Sequence, residues 1–449
     1  MTGAYLRRVM DGAMRRALRI SGAVMLEGVR ACGKTRTALE AAGSSVLMDD
    51  PAARALNDLA PGQLLIGARP RLLDEWQIIP EVWDQVRRAV DRESAPGQFI
   101  LTGSATPADD HTRHTGAGRF MRQRMRTLSW WEHDPGFGAV SLSGLFEGER
   151  PAGEPDALTF EEVLGRLLRP GFPAWREAPP EDATLLLRGY LDEVIRTDLS
   201  RLGGIRNSPA VVEALLTAIA ASSASAVSFQ TLARDLAPIA PDLSAATVSR
   251  YVDLLARIFV VERQQPWAPK LRSRARLRTS PKLHLADPAL AAVALQEPLS
   301  SLRQAPATAG ALFESAVHHD LAVLAGAFGG RIQHYRDSNG YEIDAVVVHP
   351  DGRWGAVEVK LAGARIANGH RALTSALEQI DGEPSFRLIV TGTGPILTLD
   401  DGTVTCGLHR LCPSRSCCGS HARLRRTGSG DPTPRPAHPR PGDTFRSRP

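Results

Sequence analysis

The chain has 449 residues, a formal net charge of +5 at neutral pH, and 43% hydrophobic residues. This length predicts two to four domains, and the apolar content is typical of a folded protein with buried cores. No apolar stretch approaches the roughly 20 residues that a membrane span needs. The arginine-bearing N-terminus lacks the apolar core and cleavage site of a secretory signal. We therefore expect a cytoplasmic protein with no membrane partner.

The positive charge is concentrated at one end of the chain. From Arg410 onward nine arginines stand against two aspartates, a net charge of +7, so the preceding residues together carry −2. Bulk charge is therefore no evidence for nucleic-acid binding. The same segment is rich in Pro, Ser and Gly and poor in large apolar residues, which predicts a disordered tail over residues 408–449.

A glycine-rich turn near the start of the chain carries the strongest chemical signal. It follows a short apolar run, residues 23–26, and precedes a segment of helix-forming composition. It reads Gly28, Val29, Arg30, Ala31, Cys32, Gly33, Lys34 and Thr35, with Arg36 next. This is a G-x-x-x-x-G-K-[ST] phosphate-binding loop, whose backbone N–H groups surround phosphate oxygens. Lys34 is expected to bind the β- and γ-phosphates of ATP, and Thr35 to bind Mg²⁺.

Two further apolar runs also end in polar residues. Residues 71–73 lead into Asp74 and Glu75, and residues 99–101 lead into Thr102 and Ser104. Open α/β sheets bind ligands at the carboxyl ends of their strands. Asp74 is therefore predicted to hold Mg²⁺ and Glu75 to deprotonate the attacking water, while Thr102 or Ser104 senses the γ-phosphate. The alternative is strands that simply end at a charged surface.

At these motifs the chain resembles bacterial and archaeal proteins that join an AAA-type ATPase domain to a C-terminal nuclease-like domain of unknown function. The resemblance covers about residues 1–405 and rests on residues 28–35, 45–50, 73–77, 80–81, 90–91 and 101–104. Cys32 is a departure, because Val or Gly is common at that position. The resemblance implies an α/β P-loop ATPase domain that binds ATP with Mg²⁺.

The family also carries a Gly-Arg pair at the position of Gly118 and Arg119. Arg119 is expected to reach a γ-phosphate in its own subunit or a neighbour's, and to stabilise charge in the transition state. The alternative is a solvated basic strand or loop. Arg124 is the second candidate for this role.

The middle of the chain is predicted to be helical. Ser228 and Ser244 each precede an apolar-periodic segment and are expected to be N-caps. Two capped helices followed by a strand pair suggest a winged helix-turn-helix, in which Thr247, Ser249 and Arg250 would face a DNA groove. The alternative is a helical adaptor that only packs between domains.

A basic run follows this region. Its charged members are Lys270, Arg272, Arg274, Arg276, Arg278 and Lys282. They alternate with leucines, which suggests a strand with one charged face. That face would bind DNA phosphates or would be solvated.

A second group of chemically competent residues lies in the last third of the chain. Asp344 opens one predicted strand, and Glu358 and Lys360 end the next, with a hairpin turn at residues 349–352 between them. Such a hairpin places Asp344 and Glu358 on neighbouring strands, where their carboxylates can share a divalent cation. Glu358 and Lys360 lie on one strand face. Glu314, on a predicted helix over residues 311–325, would complete the site for metal-assisted phosphodiester hydrolysis.

This set resembles the restriction-endonuclease-like core, with its helix Glu, strand Asp and Glu-x-Lys. The alternative is a salt-bridged strand pair in a domain that has lost activity. The sequence thus predicts an α/β protein in four parts. These are a P-loop AAA-type ATPase domain (1–135), a helical and winged-helix region (155–285), a restriction-endonuclease-like domain (290–405) and the tail (408–449).

The expected function is Mg·ATP binding and hydrolysis whose nucleotide state controls a nuclease-like or DNA-binding domain. The alternative is a nucleotide-switched regulatory protein that binds a partner, or a second copy of itself, through an inactive nuclease-like fold.

Overall fold

The computed structural model describes residues 5–105, 116–153, 158–198, 208–269 and 280–417. In these ranges the helices are α1 (Val9–Ile20), α2 (Lys34–Leu39), α3 (Pro51–Leu59), α4 (Val82–Glu93), α5 (Trp130–His133), α6 (Leu142–Phe146), α7 (Phe160–Leu167), α8 (Pro180–Glu193), α9 (Pro209–Ala221), α10 (Phe229–Leu236), α11 (Ala245–Arg257), α12 (Pro288–Ala294), α13 (Leu299–Gln304), α14 (Pro306–Gly326) and α15 (Ile366–Leu377).

The strands in the same ranges are β1 (Ala23–Glu27), β2 (Ser44–Leu47), β3 (Arg71–Asp74), β4 (Phe99–Gly103), β5 (Phe120–Arg124), β6 (Val140–Ser141), β7 (Val261–Pro266), β8 (Lys282–Leu285), β9 (Arg331–Arg336), β10 (Glu342–Val348), β11 (Trp354–Lys360), β12 (Phe386–Thr391), β13 (Leu397–Thr398), β14 (Val404–Gly407) and β15 (Leu411–Cys412).

The N-terminal sheet is parallel, with the order β2-β3-β4-β1-β5 among the described strands. The apolar runs of β1, β3 and β4 are buried, as expected for strands covered on both faces. Because the strands run in one direction, β1, β3 and β4 all end at the same edge of the sheet. The three predicted polar motifs therefore meet there.

Helix α1 covers one face of this sheet. Met14 and Ala17 are buried in the core, while Met10 and Leu18 are partly buried against it. Their spacing of three and four residues gives the helix one apolar side. Helix α1 therefore packs against the N-terminal sheet through this side.

The middle region contains the predicted helices and strand pair. Ser228 Oγ accepts a hydrogen bond from Thr231 N, and Ser244 Oγ accepts one from Thr247 N, so both residues are N-caps. Strands β7 and β8 pair antiparallel. They do not form an isolated wing, because β7 also pairs with β9 and so joins the C-terminal sheet. Residues 270–279 of the basic run lie outside the described residues.

The C-terminal sheet is mixed and has the order β13-β14-β12-β11-β10-β9-β7-β8 among the described strands. The predicted hairpin is present, since β10 pairs antiparallel with β11 in a register that places Val348 opposite Trp354. Helices α14 and α15 lie against this sheet. One continuous apolar core joins Leu26 of the N-terminal sheet, Leu216 of the middle region and Val357 of the C-terminal sheet.

The expected tail begins later than predicted. Leu408 and Leu411 are buried, and β15 pairs parallel with β6 at Leu411 and Val140. The disorder prediction is therefore wrong for residues 408–417, because these few apolar side chains find a partner strand far away in the sequence. Residues 418–449 lie outside the described residues. None of the helices in the described ranges combines the length and apolar character required to cross a membrane.

Candidate functional site

The phosphate-binding loop connects the end of β1 to the start of α2. Gly33 has a φ of 102° and Ala31 a φ of 63°, which lets the chain turn tightly before the helix. At Gly28 a Cβ atom would lie 2.0 Å from the carbonyl oxygen of Met125, so only glycine fits there. The loop is thus anchored to the segment that follows β5.

Within the loop, Lys34 is 4% exposed, and its Nζ donates to the carbonyl oxygens of Gly28 and Val29, each at 3.0 Å. The ammonium is held over the turn where phosphates bind in such loops. Val29 and Cys32 are buried and secure the loop, and Cys32 Sγ lies 3.7 Å from Met125 O. The remaining loop positions Arg30, Ala31 and Arg36 are exposed.

A hydroxyl and carboxylate pair lies beside the loop. Thr35 Oγ1 donates to Asp74 Oδ1 at 2.9 Å, and the Thr102 hydroxyl donates to the same carboxylate. Burial raises the pKa of Asp74, and the hydrogen bonds from Thr102 and Thr35 oppose that shift. Thr35 and Asp74 are the two residues predicted to hold Mg²⁺, and hard oxygen ligands side by side fit that ion.

Glu75 is held directly beyond this pair. It has a φ of 53°, and its backbone N donates to Thr102 Oγ1 at 3.1 Å. The Glu75 carboxylate accepts hydrogen bonds from Ser104 Oγ at 2.9 Å and from the Gln77 amide. A left-handed backbone at a non-glycine residue is uncommon and occurs at functional sites. Sequence reasoning gave Gln77 no role, although it follows Glu75 by two residues.

Arg119 lies at the other end of the sheet. It immediately precedes β5, and its carbonyl oxygen accepts from Ala23 N at the start of β1, whereas the phosphate-binding loop follows the end of β1. Its side chain pairs with Asp91, at 2.7 Å from Nε to Oδ1. The structure thus corrects the expectation that Arg119 reaches the loop of its own subunit; a role at a neighbour's loop stays a prediction.

Arg124, the second candidate, lies at the same end as the loop, opposite Glu27 of β1. Its guanidinium is 4.5 Å from the centre of the Phe259 ring and 3.8 Å from Glu262 Oε2. It therefore faces the middle region in this structure.

Arg8 makes contacts with the phosphate-binding loop that the sequence did not predict. Its Nη1 donates to the Cys32 carbonyl at 2.9 Å, and its Nη2 donates to the carbonyls of Arg126 and Thr127 at 2.9 and 3.1 Å. Its Nε donates to Glu132 Oε1 at 3.0 Å, and both side chains are almost fully buried. Arg8 connects the phosphate-binding loop to the segment that follows β5. A run of N-terminal arginines gives no signal that one of them is buried.

That same segment, residues 125–132, contacts the rest of the protein. Arg126 Nε donates to Glu262 Oε2 on β7 at 2.9 Å, and Arg126 Nη2 donates to Glu262 Oε1. Thr127 Oγ1 and His319 Nε2 lie 2.9 Å apart, and Trp130 N donates to Asp320 Oδ2 at 2.8 Å on α14. Nearby Arg126 and Arg124 lower the pKa of buried Glu262 well below its ordinary range, although burial opposes them.

The C-terminal carboxylates are brought together as predicted. Asp344 Oδ2 accepts from Val359 N on the facing strand at 2.8 Å, next to Glu358. Lys360 Nζ lies 2.5 Å from Glu358 Oε1, so these two side chains share one face. Asp344 and Glu358 could hold a divalent cation between β10 and β11, because the two carboxylates lie on adjacent strands.

Lys282 was not predicted to take part in this cluster. Its side chain is fully buried, and its Nζ lies 2.7 Å from Glu314 Oε1, 2.8 Å from Glu342 Oε1 and 3.9 Å from Asp344 Oδ1. Glu314 is therefore bound to an ammonium group; a metal-binding role for it stays a prediction. The alternation of Glu342 with Asp344 along one strand was the available signal for Glu342.

The cluster is short of positive charge. Burial and the nearby Asp344 raise the pKa of Glu314 to about 8, and the same two causes raise that of Glu358 to about 8. Burial would lower the pKa of Lys282, but the surrounding carboxylates raise it instead. In the described ranges no group of three or more His, Cys, Asp or Glu side chains is arranged to hold a metal ion. Within the described residues, the geometry thus supports a metal site with no more than two carboxylate ligands.

Comparison with family models divides the chain into three parts. Residues 21–133 match the model of an AAA domain. Residues 161–301 match a domain of unknown function (DUF8612), and residues 309–411 match another (DUF4143).

The curated relatives are uncharacterized proteins of Mycobacterium tuberculosis and Mycobacterium bovis. Each is 29% identical over 291 residues, which cover 63% of this chain and 58% of the relative. The chain therefore spans less than two thirds of the length of these relatives. Among solved structures, a Walker-type ATPase of Pyrococcus abyssi is 14% identical, with a TM-score of 0.39, over 65% of this chain and 96% of that one. The family match and the loop geometry together identify residues 21–133 as an AAA domain that contains a phosphate-binding loop.

Proposed function

We propose that the protein is a Mg²⁺-dependent ATPase whose nucleotide state controls the C-terminal carboxylate domain. The observation that carries the first half is the chain of contacts from Thr35 through Asp74 and Thr102 to Glu75. These contacts bring two hydroxyls and two carboxylates together beside the phosphate-binding loop, which supports their proposed roles in Mg²⁺ binding and water activation.

The proposed chemistry follows from these positions. Bound Mg²⁺ would supply positive charge to the phosphate oxygens, with Thr35 and Asp74 as its ligands. Lys34 supplies a second positive charge to the β- and γ-phosphates. Glu75 takes a proton from water while the water oxygen bonds to the γ-phosphorus and the bond to the bridging oxygen of ADP breaks. Ser104 and Gln77 hold the Glu75 carboxylate for this transfer.

A pair of substitutions tests the ATPase. Lys34→Ala should abolish nucleotide binding, measured with a fluorescent ATP analogue. Glu75→Gln should retain binding but lower kcat by about 100-fold or more, the range expected for loss of a general base. The matched control is Glu181→Gln at the exposed start of α8, which should change neither. Unchanged nucleotide affinity in Lys34→Ala would refute the assignment of the loop.

The proposed control of the C-terminal domain is supported by the segment 125–132. It contacts the loop through Arg8 and Met125 and contacts β7 and α14 through Arg126 and Trp130. A movement of the loop upon nucleotide binding would thus be transmitted to α14, which carries Glu314, and to β7, which pairs with the strand β8 that carries Lys282. The proposed output is ATP-controlled action on DNA, in which Asp344 and Glu358 would hold a divalent cation and Lys360 would lie near the attacking water for phosphodiester cleavage.

A second candidate function is a nucleotide-switched binding protein with an inactive nuclease-like fold. Lys282 favours it, because its ammonium already binds carboxylates that a metal would use. Supercoiled plasmid incubated with ATP, Mg²⁺ or Mn²⁺, and either wild type or Asp344→Ala separates the two. Nicking by wild type alone supports the nuclease. No nicking by wild type, or equal nicking by both proteins, supports the binding protein.

A further inference from the structure

The fully buried Lys282 reaches across the C-terminal sheet to carboxylates on two other elements. It lies on β8, at the end of the sheet order among the described strands. Glu314 belongs to α14 and Glu342 to β10, and each has an oxygen within 2.8 Å of the ammonium nitrogen. The contact with Glu314 is a charge-assisted hydrogen bond, and the contact with Glu342 is an ion pair.

An ammonium in this position offsets the negative charge of these two carboxylates, as a bound metal ion would. It is a compact point charge with three donors; one of them donates to Glu314 Oε1, and Glu342 forms an ion pair with the same nitrogen. A divalent cation prefers six or more oxygen ligands at shorter distances. It cannot share these two oxygens with the ammonium, because two cations would then lie within contact distance in a buried site.

We infer that Lys282 is a built-in cation that reserves Glu314 and Glu342, so that a divalent cation is left with Asp344 and with the Glu358 oxygen that Lys360 does not contact. Lys282 is thus a specificity-determining residue that sets how many metal ions the cluster accepts. This inference rests on the metal-binding role proposed for the cluster. What it adds concerns only Glu314 and Glu342, the two carboxylates that Lys282 contacts.

The test counts bound Mn²⁺ in the full-length, nucleotide-free protein in alkaline buffer, from the loss of the free-ion electron paramagnetic resonance signal. Lys282→Met removes the charge and keeps the length of the side chain. It should bind one Mn²⁺ per chain more than wild type. Adding Glu314→Gln to that variant should return the count to the wild-type value. Lys282→Gln, which keeps a hydrogen-bond donor, should also gain the ion and serves if Lys282→Met does not fold.

Nucleotide affinity equal to that of wild type shows that each variant is folded. An equal Mn²⁺ count in wild type and in the folded Lys282 variants would overturn the inference, as would a gain that Glu314→Gln leaves intact. The proposed metal site at Asp344 is tested separately, by comparing the number of Mn²⁺ ions bound by wild type and by Asp344→Asn. If these two bind equally while Lys282→Met gains an ion, the Lys282 inference stands and the Asp344 site does not.

Discussion

Removal of the Arg8 side chain should destabilise the ATPase domain and impair nucleotide binding. The guanidinium donates to Glu132 and to the carbonyl oxygens of Cys32, Arg126 and Thr127. Arg8→Ala therefore leaves a carboxylate that is about 1% exposed without its cation and three carbonyl groups without a donor. Breaking a buried ion pair by removing one partner costs about 3–5 kcal/mol. Glu132 keeps the backbone donors of Val9 and Ser129, which places the expected loss at the lower end.

Urea titrations followed by tryptophan fluorescence measure this loss, and a fluorescent ATP analogue measures affinity. The control is Arg303→Ala, because Arg303 and Glu161 are half exposed and screened by water. Arg8→Lys should be intermediate, since one ammonium cannot reproduce the fork of a guanidinium. The reasoning is refuted if Arg8→Ala is no less stable than Arg303→Ala, or if its nucleotide affinity equals that of wild type.

Two further predictions concern the loop and the carboxylate cluster. Gly28→Ala should lower the free energy of unfolding by about 1–3 kcal/mol, the usual cost of overpacking, because the new Cβ would meet Met125 O. It should also weaken nucleotide binding. The control is Gly12→Ala on α1, where a new Cβ would have no atom within 4 Å. A Gly28→Ala protein with wild-type affinity would contradict this account. Burial raises the pKa of Glu314 and Glu358 from 4.5 to about 8, so the folded state keeps protons that the unfolded state releases. The free energy of unfolding should therefore fall as pH rises from about 4.5 to about 8, and a decline equally steep in Glu358→Gln would argue against it.

The nucleotide site was predictable because its signals are local. The spacing of Gly28, Gly33 and Lys34 dictates the turn, and the apolar runs before Asp74 and Thr102 indicate buried parallel strands. Parallel strands necessarily end at one edge, so the three motifs had to meet. The hairpin that pairs Asp344 with Glu358 was predictable for a similar reason.

The remaining features depend on long-range packing. Whether Arg119 precedes or follows its strand decides which edge of the sheet it occupies, and that boundary has no strong sequence signal. Lys282 was predicted to lie on a charged strand face that either binds DNA phosphates or is solvated, since lysine is rarely buried without a partner. Its partners come from α14 and β10, and nothing near Lys282 in the sequence identifies them. Arg8 was missed because its acceptors are mostly backbone carbonyls.

The pairing of β15 with β6 has a consequence for synthesis of the chain. Leu411 aligns with Val140, so β6 can pair only after the ribosome has made β15, about 270 residues later. During translation the ribosome must release nearly all of the described residues before Val140 and Ser141 are covered. Until then the two-residue strand β6 lacks the strand that pairs with it in the folded protein, so its backbone groups must be satisfied by water.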